Sequence, residues 1–269
     1  MILSVVIITH NEEANIGRTL ASVQPLVADG KGEIIIIDSG STDRTVEIAR
    51  SFGTKVFVEE WRGYAAQKNS AIEKASGTWI LSLDADEALS EDLPHEITLA
   101  LGRQANLKIE TPPDRPEFVD GFFVPRRNFF LGKWIKRGGF WPDPKLRLFR
   151  RGKGRFEYRA VHEDVSLKGR TGRLMHPLLH HSYPTLADYI DHMNRYSSLG
   201  AEMSVAKGRR GFSLFNIVLR PLATFIYNYF FRLGFLDGRE GLLLHLYHAV
   251  YVSWKYSKAW ELWRQRESR

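Results

Sequence analysis

Apolar and polar positions along the first ninety residues alternate between two periods. Leu3–Ile8 is an almost unbroken β-branched run, followed by the polar stretch Thr9-His10-Asn11-Glu12-Glu13. From Glu13 to Val27 apolar residues recur at helical spacing, with Ile16, Leu20 and Val23 on one stripe. Glu33–Ile37 predicts a second strand, ending in Asp38-Ser39-Gly40-Ser41-Thr42-Asp43. Thr42 or Ser41 is placed to cap a helix running through Phe52. Lys55–Val58 predicts a third strand, Gly63–Ser76 a third helix closed by Gly77, and Trp79–Leu83 a fourth strand.

Strands alternating with helices at this spacing make βαβ units. The expected fold is α/β, a Rossmann-like, mostly parallel sheet with helices on both faces. Its near-unbroken Ile/Val strands suit burial on both sides. Open sheets of this kind bind ligands outside the carboxyl ends of their strands. Polar groups fall on that edge in turn: Thr9 and Asn11, then Asp38, then Asp84 and Asp86.

Regularity fades after residue 103. Residues 104–118 contain three prolines and read as a mobile connector. Gly121–Pro125, Lys145–Phe149 and Arg155–Tyr158 are short strand candidates. Phe212, Phe215, Val218, Leu219, Leu222, Phe225, Ile226 and Tyr229 form a broad apolar stripe at helical spacing, interrupted by Arg220 and Pro221. Leu242–Trp263 is a second such stretch, rich in Leu, Tyr and Trp and flanked by Arg239, Lys255, Lys258, Arg264 and Arg266. Aromatics mixed with cations favour an anionic headgroup zone, and the buried arginine argues for lying in the interface rather than spanning it. A helical hairpin packed on the preceding domain, or a dimer interface, is the alternative. The expected division is residues 1–103 and 104–205 as two halves of one domain, and 206–269 as an amphipathic helical membrane-association region.

The net charge of +7 hides a division. Residues 1–110 hold ten Lys/Arg against seventeen Asp/Glu, residues 111–202 seventeen against ten, and residues 203–269 eleven against four. An acidic first third suits a metal site, and a basic remainder suits a polyanionic partner. There is no cysteine, which removes disulfides and thiolate metal sites. No secretory signal is read at the amino terminus. No G-x-G-x-x-G follows the first strand and no G-x-x-x-x-G-K-[ST] occurs, which speaks against dehydrogenases and P-loop nucleotidases. A basic nucleic-acid-binding protein is a remote alternative, for no recognisable nucleic-acid module is present.

Asp84 and Asp86, two apart at a strand end, point to one side. Paired carboxylates repel unless a cation lies between them. A hard divalent ion, Mg²⁺ or Mn²⁺, held by one or two carboxylates and substrate phosphates fits that pair. The bland alternative is a solvated acidic loop.

Residues 4–13 (Ser-Val-Val-Ile-Ile-Thr-His-Asn-Glu-Glu), Ile37-Asp38-Ser39-Gly40-Ser41-Thr42-Asp43 and Leu83-Asp84-Ala85-Asp86-Glu87 together resemble the three landmarks of family 2 glycosyltransferases with the GT-A fold. The remainder is similar to the lipopolysaccharide-core subgroup that adds glucose to heptose. The stretches that carry this second resemblance are Trp141–Arg151, Val161-His162-Glu163, His180–Tyr183 and Gly234–Gly238. The resemblance implies that Thr9, Asn11 or Glu12, and Asp38 contact the uridine of a UDP-sugar, with Lys68 and Asn69 near the donor. It implies that Asp84 touches the ribose or sugar and that Asp86 holds the metal. Many relatives carry a second Asp where this chain has Ser39, so base recognition rests more on Asp38.

Diphosphate leaves as an anion, and the acceptor hydroxyl must lose its proton as it attacks. Glu163 is the expected base, with Asp164 and Asp143 as rivals; Glu163 as a surface carboxylate pairing with Arg159 or Arg155 is the structural alternative. His162 or His180 would supply a further metal ligand. Arg126, Trp141 and Arg147 mix an aromatic face with guanidinium forks and suit an anionic glycan acceptor. The expected enzyme is an inverting, metal-dependent hexosyltransferase at the cytoplasmic face of the bacterial inner membrane. Its expected partners are a UDP-sugar donor, a lipid-linked glycan and the membrane surface. A polyprenyl-phosphate, exopolysaccharide or protein acceptor is the nearer alternative.

Overall fold

Successive side chains of the first strand, β1 (Leu3–Thr9), enter two different apolar layers, and all seven residues are buried. The computed structural model describes residues 2–110, 118–157, 164–208 and 212–267. After β1 come α1 (Ile16–Val27), β2 (Gly32–Asp38), α2 (Thr45–Ser51), β3 (Lys55–Val58), α3 (Tyr64–Lys74), β4 (Trp79–Asp84), β5 (Glu87–Leu89) and α4 (Leu93–Glu110). There follow β6 (Gly121–Val124), β7 (Arg126–Phe130), β8 (Lys133–Trp134), β9 (Lys145–Arg150), β10 (Gly154–Phe156), β11 (Val165–Leu167), β12 (Thr171–Arg173) and β13 (Leu178–Tyr183). The carboxyl-terminal part is helical: α5 (Leu186–Ala206), α6 (Arg220–Ile226) and α7 (Gly238–Glu267). Wider π-helical turns, Phe215–Leu219 and Tyr227–Phe231, flank α6.

The chain divides into two compact units. The first comprises residues 1–126 and 144–180, the second residues 127–143 and 181–269. These bounds differ from the expected breaks at 103/104 and 205/206, because β9 joins the first sheet and α5 packs with α7.

A seven-stranded sheet of order β12-β6-β9-β4-β1-β2-β3 forms the first unit. β4, β1, β2 and β3 are mutually parallel, and β9 runs antiparallel between β4 and β6. Val5 and Ile7 join Ile16, Leu20 and Val23 of α1 and Leu93 and Ile97 of α4 in one layer. Val6 and Ile8 join Ala71 of α3 and Phe149 in the other. This is the doubly covered parallel sheet that the β-branched runs predict.

Several local expectations are corrected. α2 begins at Thr45 with Arg44, neither Ser41 nor Thr42, in the N-cap position and no side-chain cap; Asp43 accepts from the Thr45 N–H at 3.0 Å and from its hydroxyl at 2.5 Å. Gly77 does not close α3, which ends at Lys74 with Ala75 extended. Gly77 is glycine for another reason: a Cβ there would lie 2.7 Å from the backbone of Leu3 and Ser4. α4 continues through residues 104–110, where a connector was expected, and Gln104 accepts from the Val119 N–H at 3.0 Å. Residues 111–117 and Tyr158 lie outside the described residues.

The second unit holds the β7–β8 hairpin, the end of β13 and the carboxyl-terminal helices. Phe130, Ile135, Tyr189 and Leu244 form one core, and Ala201, Val205 and Ala259 a second between α5 and α7. Thr185 and Asp188 close a capping box at the start of α5, a helix the periodicity analysis did not single out. Among the described residues, no helix is long and apolar enough to cross a membrane.

Candidate active site

Three adjacent parallel strands end at one edge of the first unit. Thr9 is paired in register with Asp38, and Ile8 with Asp84. Asp38 is buried and shapes its own loop. Its Oδ2 accepts from the N–H groups of Gly40 and Ser41 at 2.9 and 2.8 Å, and its Oδ1 accepts from the Ser41 hydroxyl at 2.5 Å. The Ser41 Oγ also accepts from the Asn11 N–H at 2.8 Å, and the Asn11 Oδ1 accepts from the Thr42 N–H at 2.9 Å. Asn11 needs a left-handed backbone for this, with φ of 55°. The Glu12 N–H donates to the Thr45 hydroxyl at 2.7 Å, so the loops after β1 and β2 are one cross-tied structure. Beside it, the Thr9 Oγ1 is buried without a hydrogen-bond partner among the described residues, and the Ser39 Oγ accepts from Gln67 at 2.9 Å. An unsatisfied buried hydroxyl at a ligand-binding edge suits a polar ligand.

α3 faces this edge with polar side chains. Gln67, Lys68, Asn69 and Ser70 are all buried, an inversion of the usual helical pattern. Lys68 Nζ lies 2.8 Å from Asp84 Oδ1. Arg147 of β9 donates to Asp84 Oδ2 at 2.6 Å and to Glu87 Oε1 at 2.7 Å, and Arg126 reaches the same Glu87 oxygen at 3.0 Å. Asp86 Oδ2 lies 3.2 Å from His180 Nε2.

Burial alone would raise the Asp84 carboxyl; the charges of Arg147 and Lys68 outweigh it and hold the group well below the usual carboxylate range. Burial likewise opposes ionisation of Asp86, and His180 overcomes it, so this carboxyl is also lowered. Glu12 moves the other way. Burial pushes it up, Asn15 only partly offsets that, and the charges of Asp86, Asp43 and Asp84 push it up further. Glu12, Asp84 and Asp86 therefore share one electrostatic neighbourhood.

The aspartate pair already has positive partners within the chain. Lys68 and Arg147 neutralise Asp84 by themselves, one on each oxygen. Among the described residues there is no group of three or more His, Cys, Asp or Glu arranged to hold a metal ion.

Thr9, Asn11, Glu12, Asp38, Ser39, Lys68, Asp84, Asp86 and His180 are thus brought to one edge. Asn69 is turned to a structural task, with its amide exchanging two 3.0 Å hydrogen bonds with the backbone of Phe156. Arg147 and Arg126, expected at an acceptor surface, are instead counter-ions to the β4–β5 carboxylates. Trp141 packs edge-on to Trp134 at 5.3 Å in the second unit, where Asp143 accepts from Asn128 at 3.0 Å. Asp164 is exposed, its carbonyl accepting from the Glu157 N–H. Glu163 and His162 lie outside the described residues. Glu87, fully buried between two arginines, had no role assigned beforehand; its signal was an acid three positions after Asp84.

Residues 4–156 match the family model described as Glycosyl transferase family 2. The chain belongs to glycosyltransferase family 2. A lipopolysaccharide core biosynthesis glycosyltransferase, LpsC of Rhizobium meliloti (strain 1021), is 32% identical over 257 residues, covering 93% of this chain and 88% of that protein. The fold is the GT-A fold. A mannosyltransferase from Pyrobaculum calidifontis, solved with GDP-Man and Mn²⁺, superposes with a TM-score of 0.54 at 16% identity, covering 98% of this enzyme and 87% of that one. S. aureus TarS 1–349 in complex with UDP gives 0.51 at 15% identity, covering 99% and 92%.

Proposed function

We propose that this glycosyltransferase moves a sugar, glucose as the best reading, from a UDP-sugar to a heptose of lipopolysaccharide inner core at the cytoplasmic face of the bacterial inner membrane. The observation that carries the acceptor class is the relative named for lipopolysaccharide core biosynthesis. Its similarity covers 93% of the chain and so extends well beyond the donor half. The donor reading rests on the edge formed by Thr9, Asp38 and Asp84.

The residues fit a divalent cation. Asp86 is half-buried beside the strand end and faces His180, while Lys68 pairs with Asp84, and Arg147 with Asp84 and Glu87. Asp86 would hold Mg²⁺ or Mn²⁺ against the donor diphosphate, where the ion would stabilise the charge of the departing group. Lys68 and Arg147 hold the Asp84 carboxylate in one rotamer, ready to accept from a ribose or sugar hydroxyl. The loop built on Asp38 and Ser41 forms the wall for the base.

The transfer is a single displacement. The acceptor oxygen forms its bond to the anomeric carbon as the bond from that carbon to the diphosphate oxygen breaks. The acceptor proton passes to a carboxylate, and UDP leaves. Attack opposite the leaving group turns an α-linked donor into a β-product through an oxocarbenium-like transition state. Glu163 is the proposed base, with Asp164 and Asp143 as the other carboxylates to test.

The test is a donor screen. The protein is incubated with UDP-glucose, UDP-galactose, UDP-GlcNAc and GDP-mannose, each with and without heptose-bearing core acceptor, and free nucleotide and glycan mass are measured. Acceptor-dependent release of UDP from UDP-glucose with a hexose added to the core is the expected result. Release with none of the donors, or transfer only to a polyprenyl phosphate, overturns the proposal.

A further inference from the structure

The exposed large apolar side chains of the described residues are concentrated in one place. Thirteen of the twenty-one lie between Phe212 and Leu236 in the second unit. The most open are Phe231 at 75%, Leu214 at 64% and Phe215 at 63% exposed. This segment packs its inner side along α7: the Ser253 hydroxyl donates to the Ile217 carbonyl at 2.8 Å, and the Arg220 guanidinium lies over the Tyr256 ring at 5.3 Å. Its outer side is uncovered. A patch of this density is far beyond the scattered exposure of ordinary soluble surfaces.

Charge identifies the occupant. No Asp or Glu occurs from Met203 to Leu236, whereas Lys207, Arg209, Arg210, Arg220 and Arg232 all fall there. Arg232 is held over the Tyr227 ring at 5.6 Å. The next two acids are withdrawn from the surface charge: Asp237 is buried and accepts from the N–H groups of Lys136 and Arg137, and Glu240 pairs with Lys133 at 3.0 Å. Exposed Phe and Leu on a segment that carries five cations and no acid of its own suit a surface that is apolar beneath and anionic above. A second copy of the same face would set arginines against arginines.

We infer that residues 212–236 form a monotopic insertion element, which lays its Phe and Leu side chains into the headgroup–acyl boundary of a bilayer containing anionic phospholipid. The element lies in the plane and does not cross. This extends the proposed reading of a lipid-borne acceptor, but vesicle binding is measured without donor or acceptor, so failure of either idea is visible separately.

The experiment is co-sedimentation of the whole chain with vesicles of phosphatidylglycerol and, separately, of phosphatidylcholine, for wild type and for Leu214→Ser/Phe231→Ser. Both side chains are more than half exposed, so the variant should fold, which circular dichroism checks. Wild type should sediment with phosphatidylglycerol vesicles and much less with phosphatidylcholine. The double variant should lose about a hundredfold in partitioning, since each of the two buried side chains is worth roughly a factor of ten. Its transfer to a delipidated core oligosaccharide should stay at the wild-type rate. Absence of wild-type sedimentation, unchanged sedimentation of the variant, or a wild-type dimer in sedimentation velocity that the variant dissolves without any vesicle binding would each overturn the inference.

Discussion

Arg147 donates to Asp84 at 2.6 Å from a strand that runs antiparallel to the one Asp84 ends, and its burial is nearly complete. The same guanidinium group reaches Glu87 at 2.7 Å. Burial opposes the charge on Arg147, but Asp84 and Glu87 outweigh it and raise its pKa above the ordinary arginine value. A buried arginine between two carboxylates fixes both of them, at the expense of desolvating all three.

Arg147→Met removes the shared partner and leaves Asp84 to Lys68 and Glu87 to Arg126. Breaking a buried pair on one side typically costs about 3–5 kcal/mol. Expected are a loss of roughly that size in urea unfolding and a fall in transfer rate larger than the folded fraction explains. Arg147→Lys should recover part of the stability but little of the rate, because one ammonium cannot span Asp84 and Glu87 as a fork does. Full activity in Arg147→Met would mean that the Asp84 rotamer does not matter.

The order of strands and helices through β4 was legible because β-branched runs and a 3.6 period differ sharply; β5, only three residues long, was not read. The edge was legible too, since Thr9, Asp38 and Asp84 each follow such a run. Arg147 was read as an acceptor contact because it stands 63 residues from Asp84, and periodicity carries no information on which strands pair. Only the β4–β9 register, Leu81 against Leu148, brings the two together. α4 was not read at all, and the prolines at 112, 113 and 116 drew a connector back over its last turns. Gly77 reads like any helix-ending glycine; its close approach to β1 is a tertiary fact.

Asp86→Asn should leave folding nearly unchanged and slow transfer by about 10²-fold or more, the scale of losing one electrostatic stabiliser of the transition state. In wild type, a chelator should stop UDP release and Mn²⁺ or Mg²⁺ should restore it. The residual rate of Asp86→Asn should respond weakly to either. Equal rates for wild type with and without chelator would remove the cation from the reaction.

His245 in the second unit is buried, with neither ring nitrogen partnered among the described residues. Burial, helped by the neighbouring His248, pushes its pKa down to about 4. Above pH 6.5 both folded and unfolded forms are neutral, and the group contributes nothing to the pH dependence. Between pH 6.5 and 4 the unfolded chain takes up a proton that the folded chain refuses, so stability falls by about 1.4 kcal/mol per pH unit, on the order of 3 kcal/mol in all. Urea midpoints at pH 7, 5.5 and 4.5 read this slope, and His245→Phe should flatten it. An unchanged slope in that variant would assign the acid sensitivity elsewhere.

Glu33 gives the complementary case in the first unit. Its carboxylate is buried and accepts from the hydroxyls of Ser4 and Ser76, both at 2.7 Å, and from the Ser76 N–H at 2.8 Å, with Lys55 at 2.6 Å. Burial resists the charge, but these donors together lower its pKa to about 2. Because the folded value lies below the unfolded one, the stabilisation is complete above pH 4.5 and is lost as pH falls toward 2. Its size is about 3 kcal/mol. Glu33→Gln keeps the shape but puts an amide donor among donors, so it should lose most of that at pH 7 and become insensitive below pH 4.5. Thermal unfolding at pH 7 and pH 3 distinguishes the two: wild type should drop sharply between them, and the variant should start low and change little on this account.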